Sequence, residues 1–117
     1  MVQLLAPADL PTGFTYPPSF IRVVHLGLID LEPWAILSGD PLQRRFRGLA
    51  GRFPNRRLVP FANRQDNDDV ACWDLRRDPQ QVVVIHDFAD PGWEHRSEYP
   101  TFYAWLRQAI EDLIEFD

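Results

Sequence analysis

The chain has 117 residues, of which 45% are hydrophobic and 13% aromatic, enough for one folded domain with a substantial core. This composition excludes an intrinsically disordered chain, and no apolar run approaches the roughly 20 residues that a membrane span needs. The single cysteine, Cys72, excludes an internal disulfide, and the first residues lack the basic start of a secretory signal. We therefore expect a cytoplasmic protein.

Charge is distributed unevenly along the chain, and all twelve basic residues are arginine. Residues 1–64 hold eight arginines against four acids, a net charge of +4. Residues 65–117 hold four arginines against thirteen acids, a net charge of −9. Such a chain presents one basic and one acidic face if its halves segregate in space, and otherwise two ordinary solvated surfaces.

The first half of the chain predicts two helices and one strand. Residues 1–16, rich in proline and small residues, predict an irregular lead-in. A helix is expected to begin at residues 16–20, where two prolines suit a first turn, and to end at Gly27. Residues 34–37 read as a strand. Apolar residues then recur at helical spacing between Asp40 and Pro54, with arginines on the other faces of the helix.

The second half predicts three strands and a helix. Residues 58–62 form a strand interrupted by Pro60, which indicates a sheet edge or a bulge. Residues 70–75 alternate, and after a hairpin turn residues 82–85 are apolar throughout, as in a central strand covered on both faces. A broad apolar stripe marks a final helix over 102–113. The sequence predicts one α+β domain over 1–117, with a mainly antiparallel sheet of about four to five strands flanked by helices.

Three carboxylates, Asp66, Asp68 and Asp69, follow the strand that contains Pro60 and raise the possibility of a metal site. A calcium loop counted from Asp66 requires a glycine at its sixth position and a glutamate at its twelfth. Ala71 and Arg77 stand there instead. Asn and Asp also form turns by bonding their own backbone, so we expect a turn, with no metal and no cofactor.

Candidate catalytic groups are few. His86-Asp87 resembles the core of a metal-dependent phosphohydrolase dyad, and a hydrolase built on Asp66, Asp68, His86 and Asp87 is one alternative. Cys72 and His86 lie on predicted neighbouring strands, but a cysteine flanked by apolar residues usually behaves as a buried hydrophobe. A histidine that closes a strand is more often structural. We therefore predict that the chain is not an enzyme.

Two surfaces are candidates for a macromolecular partner. Residues 44–57 carry six arginines, two phenylalanines and no acid, a composition suited to phosphate contact. The chain has no nucleic-acid reading motif and a pI near 5.1, so we favour an ordinary amphipathic helix there. The second candidate is a loop that places Trp93 among acids, which has the composition of a protein-binding patch or of a cover for the core.

Three stretches in order carry a resemblance to a known family: LPTGFTYPPSFIRVVHLG at 10–27, LVPFANRQDNDDVACWDL at 58–75 and YPTFYAWLRQAI at 99–110. The order of these stretches resembles the SUKH superfamily, the Smi/Knr-type domain. The shared features are a helix that starts with proline-proline-serine-aromatic, a strand with proline-phenylalanine-alanine, an acidic turn and a closing aromatic helix. The resemblance covers most of residues 10–115. One departure is Leu26-Gly27, where many members have Asn-Gly.

The resemblance implies an α+β fold without known enzymatic activity. Bacterial members are frequently immunity proteins that neutralise toxins, often nucleases, whereas fungal relatives are signalling adaptors. We therefore expect a protein partner, such as a basic cognate toxin. The alternative is that the chain is an intracellular adaptor whose partner is not a toxin. The predicted partner-binding residues are Asp66, Asp68, Asp69, Asp90, Trp93 and Glu94.

Overall fold

The computed structural model describes residues 2–116, in which three helices flank one six-stranded antiparallel sheet. In chain order the elements are α1 (Pro18–His25), β1 (Asp30–Leu31), β2 (Trp34–Ile36), α2 (Gly39–Arg52), β3 (Leu58–Arg64), β4 (Asp69–Asp74), β5 (Val82–His86), β6 (His95–Tyr99) and α3 (Phe102–Glu115). The strands follow one another across the sheet in chain order, each pairing antiparallel with the next. The predicted α+β class with an antiparallel sheet is confirmed. No helix within 2–116 is long and apolar enough to cross a membrane.

The sequence did not predict the two edge strands of the six-stranded sheet, β1 and β6. β1 has only two residues, too few for a detectable pattern. β6 has the sequence HRSEY, so its polar residues give no alternation of apolar and polar positions. Charged residues on an edge strand also discourage pairing with another chain.

Successive residues of the central strands point alternately into two different cores, one on each face of the sheet. On β4, Ala71 and Trp73 join a cluster that α1 and α3 cover, whereas Val70 and Cys72 join a second cluster beneath α2. Residues 82–85 of β5 are buried and divide between both clusters, which confirms the central strand covered on both faces. β3 pairs with strands on both sides, and its register shifts between Pro60 and Ala62. Pro60 therefore marks a bulge and not a sheet edge.

The cluster under α1 and α3 is built around Trp73. Its ring centroid lies 4.5 Å from that of Phe61 and 5.2 Å from that of Phe20. Residues 2–17 contain no helix or strand, yet they contribute Phe14, whose ring lies 5.6 Å from Trp73. Aromatic rings at these separations pack edge-on or offset, which adds to the burial of apolar area.

The apolar stripe of α3 is wider than the face it buries. Phe102, Trp105 and Ala109 lie in the core, and the Trp105 ring is 4.8 Å from that of Phe61. Ile110 and Leu113 belong to the same predicted stripe, but both are exposed. Only part of the stripe therefore stabilises the fold.

We expect Trp105→Ala to lower the free energy of unfolding by about 3–5 kcal/mol, because it removes a fully buried aromatic ring and leaves a cavity. Chemical denaturation followed by circular dichroism measures the change. Ile114→Ala is the matched control, since Ile114 lies on the same helix and is exposed. A Trp105→Ala variant as stable as this control would contradict the assignment of Trp105 to the core.

Candidate functional site

The connection between β5 and β6, residues 87–94, exposes its aromatic side chains and buries its end carboxylates. Phe88 is 62% exposed and Trp93 is 82% exposed, whereas Asp87 and Glu94 are buried. Charged side chains are ordinarily outside and large apolar ones inside, and buried charges occur where they are paired. We call this segment the anchored loop, because its two buried carboxylates hold it to the rest of the protein.

Asp87 anchors the start of the loop to α2. Its Oδ1 accepts a hydrogen bond from Arg52 Nε at 2.6 Å, and its Oδ2 accepts from Arg52 Nη2 and Arg45 Nη1, both at 2.7 Å. Its Oδ1 also accepts from the Phe88 backbone N–H at 2.8 Å. Burial acts to raise the pKa of Asp87, but these hydrogen bonds outweigh it and lower the pKa overall. The carboxylate is therefore stabilised in its charged form.

Glu94 anchors the end of the loop through Arg56. Arg56 Nε donates to Glu94 Oε2 at 2.7 Å, while its Nη1 donates to Asp74 Oδ2 at 3.2 Å. The backbone N–H of Gly92 donates to Glu94 Oε1 at 2.6 Å. Burial again opposes the charge, and hydrogen bonds from the backbone and from Arg56 lower the pKa of Glu94 overall. One arginine thus ties the loop to the far end of β4.

Phe88 adopts a backbone conformation that a bulky residue rarely takes, with φ of +67°. Left-handed backbone costs an L-residue roughly 1–2 kcal/mol. Two contacts hold Phe88 in this conformation. Its backbone N–H donates a hydrogen bond to Asp87 Oδ1, and its ring packs against the Arg52 guanidinium, whose carbon lies 4.1 Å from the ring centroid. Residues held in such conformations concentrate at functional sites.

The β3–β4 turn lies at the same end of the sheet as the start of the anchored loop. Asp69 pairs with His86 across β4 and β5, and the Asp68 carbonyl accepts a hydrogen bond from the Asp87 N–H at 2.9 Å. Asn67 Oδ1 accepts from the Asp69 N–H at 2.8 Å, the bond of an Asx turn. The interpretation of this acidic segment as turn-forming residues is therefore supported by its own hydrogen bonds.

The predicted partner-binding residues divide into two groups. Asp66 is paired with Arg64 at 2.8 Å, and Asp69 lies 2.9 Å from His86 Nδ1. Glu94 was expected at a surface, but it is buried in its pair with Arg56. Asp68, Asp90 and Trp93 are exposed, and neither aspartate forms an ion pair within residues 2–116. Asp66 is exposed as well but is held by Arg64, so these three are the exposed residues of the predicted surface that no ion pair among residues 2–116 engages.

Some charges of the two oppositely charged halves of the sequence meet in space. Arginines from the first 64 residues pair with acids from the remainder: Arg45 and Arg52 with Asp87, Arg56 with Asp74 and Glu94, and Arg64 with Asp66 and Asp112. In the part of the chain that the structure describes, four of the eight arginines in residues 1–64 and five of the thirteen acids in residues 65–117 are paired in this way.

The groups considered for catalysis do not converge. His86 faces Asp69, Asp66 faces Arg64, and Asp87 is enclosed by arginines. Cys72 pairs with Val83 and is fully buried, and burial raises the pKa of its thiol well above the usual range. Across residues 2–116, no group of three or more His, Cys, Asp or Glu side chains is arranged to hold a metal ion.

Sequence reasoning missed the arginines that anchor the loop. Arg45 and Arg52 were placed on the outer faces of their helix, yet they follow the spacing of Leu42 and Leu49, three residues further along each time. That spacing keeps them beside the buried edge of α2. An arginine next to the buried positions of a helix therefore indicated an ion pair with a buried acid.

No protein-family model, curated protein or solved structure gives a match to this chain. The likeness to the SUKH superfamily consequently rests on the sequence stretches quoted above.

We expect Asp87→Asn to lower the free energy of unfolding by about 3–5 kcal/mol, because it leaves two partly buried guanidiniums without their carboxylate. Urea denaturation at pH 7 measures the change. Asp90→Asn is the matched control in the same loop and should stay within about 0.5 kcal/mol of the parent chain. Equal stability of the two variants would show that the anchor does not hold the loop.

Stability should also fall in acid. The folded-state pKa values of Asp87 and Glu94 are lowered, so their contribution is present above their unfolded pKa values, near 4, and is lost as the pH falls through the folded values. We expect the free energy of unfolding to be nearly constant from about pH 7 to 5 and to decrease below about pH 4. Denaturation curves across this range measure it. A free energy that is unchanged at about pH 3 would contradict the pairing.

Proposed function

We propose that this chain is a non-enzymatic protein-binding domain whose partner docks on the anchored loop. The observation that carries the proposal is the exposure of Phe88 and Trp93 on a segment fixed at both ends by buried ion pairs. Exposed tryptophan anchors dominate the binding energy of many interfaces. The anchors also fix the backbone that carries these aromatics before binding, which reduces the entropy lost on association.

The strain at Phe88 supports the same interpretation. A polar or glycine residue would adopt a φ of +67° at lower cost, and a phenylalanine there leaves most of its ring in solvent. Neither feature stabilises the isolated domain. Both are accounted for if a partner covers the ring.

The specific form that we propose is a cytoplasmic bacterial immunity protein that neutralises a toxin, as the SUKH resemblance implies. Asp68 and Asp90 are exposed near the aromatics, and the chain carries a net charge of −5. Exposed acids of this kind accelerate association with a basic surface such as the phosphate-binding cleft of a nuclease. An intracellular adaptor with a partner that is not a toxin would use the same surface.

The cognate toxin is sought first as the product of the adjacent gene. We expect Trp93→Ala to abolish the protection of cells against this toxin. With purified proteins the variant should weaken binding by at least about 30-fold, mainly through faster dissociation, because it removes a central aromatic anchor. Co-expression growth assays and surface plasmon resonance measure the two effects. Tyr103→Ala, an exposed aromatic on α3, is the control.

A second variant separates electrostatic steering from anchoring. Charge reversal at Asp68 and Asp90 should slow association and flatten its dependence on salt, with little change in dissociation. A toxin that binds the Trp93→Ala protein as tightly as the parent chain would overturn the docking surface. A Trp93-dependent partner without toxic activity would favour the adaptor.

A further inference from the structure

A cleft of about 350 Å³ lies beside the anchored loop, between α2 and the ring of Phe88. Its polar lining comes from Arg44, Arg45, Arg52 and Asn63. Leu37 and Pro41 complete it on the apolar side, together with Phe88. We call it the arginine cleft. Three arginines therefore line one small cleft of a chain whose net charge is −5.

The arginine cleft offers hydrogen-bond donors in excess. A guanidinium has five N–H groups and no acceptor. Asp87 occupies one nitrogen of Arg45 and two of Arg52, so both side chains retain donors. Arg44 is exposed and forms no hydrogen bond or ion pair through its side chain within the described residues 2–116. Three positive charges against the single carboxylate of Asp87 leave a net charge of +2.

We propose that the arginine cleft binds a carboxylate side chain of the protein partner, with an apolar group of that partner against Phe88. This inference rests on the proposed function and adds the chemistry of the partner's contact. A carboxylate accepts the paired N–H groups of a guanidinium in a fixed geometry, so it suits Arg44. The partner thus supplies an acid at this point, even if its surface opposite Asp68 and Asp90 is basic.

A single carboxylate fits the surroundings better than a polyanion. The exposed Asp68 is bonded through its backbone to Asp87, and the exposed Asp90 lies in the anchored loop, so both neighbour the cleft without lining it. A nucleic acid carries a negative charge about every 1.7 Å along a duplex and would meet both aspartates. A single acidic side chain carries one charge and contacts only the residues that line the cleft, so it meets less repulsion from these aspartates than a polyanion does.

The test uses the full-length chain and a capped amino acid, N-acetylglutamic acid amide, with N-acetylglutamine amide as its neutral counterpart. The two probes differ only in the carboxylate. Titration is followed by ¹H–¹⁵N NMR at the Asn63 side-chain amide and the arginine Nε–H groups. We expect saturable shifts at these groups with the glutamic acid probe and none with the glutamine probe.

Arg44→Gln should weaken binding of the glutamic acid probe by about tenfold, the effect of losing one charge-assisted hydrogen-bonding partner. Arg107→Gln is the control, because Arg107 lies on α3, which packs with α1 over the other core. Equal shifts with both probes, or binding that Arg44→Gln leaves unchanged, would overturn the proposal. Tighter, salt-sensitive binding of a short oligothymidylate at the same groups would also overturn it, in favour of a nucleic-acid ligand.

The outcome separates this inference from the proposed function. If the glutamic acid probe fails while Trp93→Ala still disrupts the complex, the chain is a binding protein and only the carboxylate contact is wrong. If the probe binds and no partner depends on Trp93, the carboxylate site in the arginine cleft is supported and the docking surface is contradicted.

Discussion

The start of the anchored loop, which carries Phe88, is held in place by one buried interaction, the pairing of Asp87 with Arg45 and Arg52. Moving the loop away from α2 would leave a carboxylate without partners inside the protein, at a cost of several kcal/mol. The same movement would break the contact between Arg52 and Phe88. The conformation of the exposed Phe88 is thus coupled to an ion pair whose carboxylate is buried.

Other ion pairs also join the basic half of the sequence to the acidic half. Arginines up to residue 64 meet acids after it across α2, the sheet and the loop, so these pairs connect segments that are distant along the chain. Ion pairs of this kind add little net stability when compared with apolar replacements. They specify which surfaces meet, because an arginine displaced from its carboxylate leaves both charges unsatisfied.

The elements that depend on hydrophobic pattern could be predicted from the sequence. The alternation in β4, the apolar run in β5 and the core residues of α3 each reflect burial, which periodicity reports directly. β1 and β6 could not be predicted this way, because backbone pairing at a sheet edge needs no apolar residue. The pattern also indicates which face of α3 is apolar, but not how much of that face the rest of the fold covers.

The candidate site could be predicted only in part. Trp93 was expected on a loop, and the structure places it there, because a tryptophan between a tight turn and a polar segment has no neighbouring apolar positions to pack with. Glu94 was expected beside it in solvent, since a glutamate is normally exposed. Its burial depends on Arg56, which is 38 residues earlier in the chain and brought close only by the fold. Local composition therefore located the loop and could not assign its inward and outward side chains.

Opposite charges at short separation give the proposed surface its selectivity. Asp68 and Asp90 repel acids, the arginine cleft repels bases, and the exposed aromatics lie among these charges. A partner whose surface carries charges of one sign would be attracted by one of these groups and repelled by the other. A partner with basic groups opposite the aspartates and an acid opposite the arginine cleft would be attracted by both, in one orientation only. The buried anchors maintain this arrangement, because Asp87 both fixes the loop and reduces the charge of the cleft from +3 to +2. The interaction that holds the loop in the fold thereby also sets the charge that a partner would encounter.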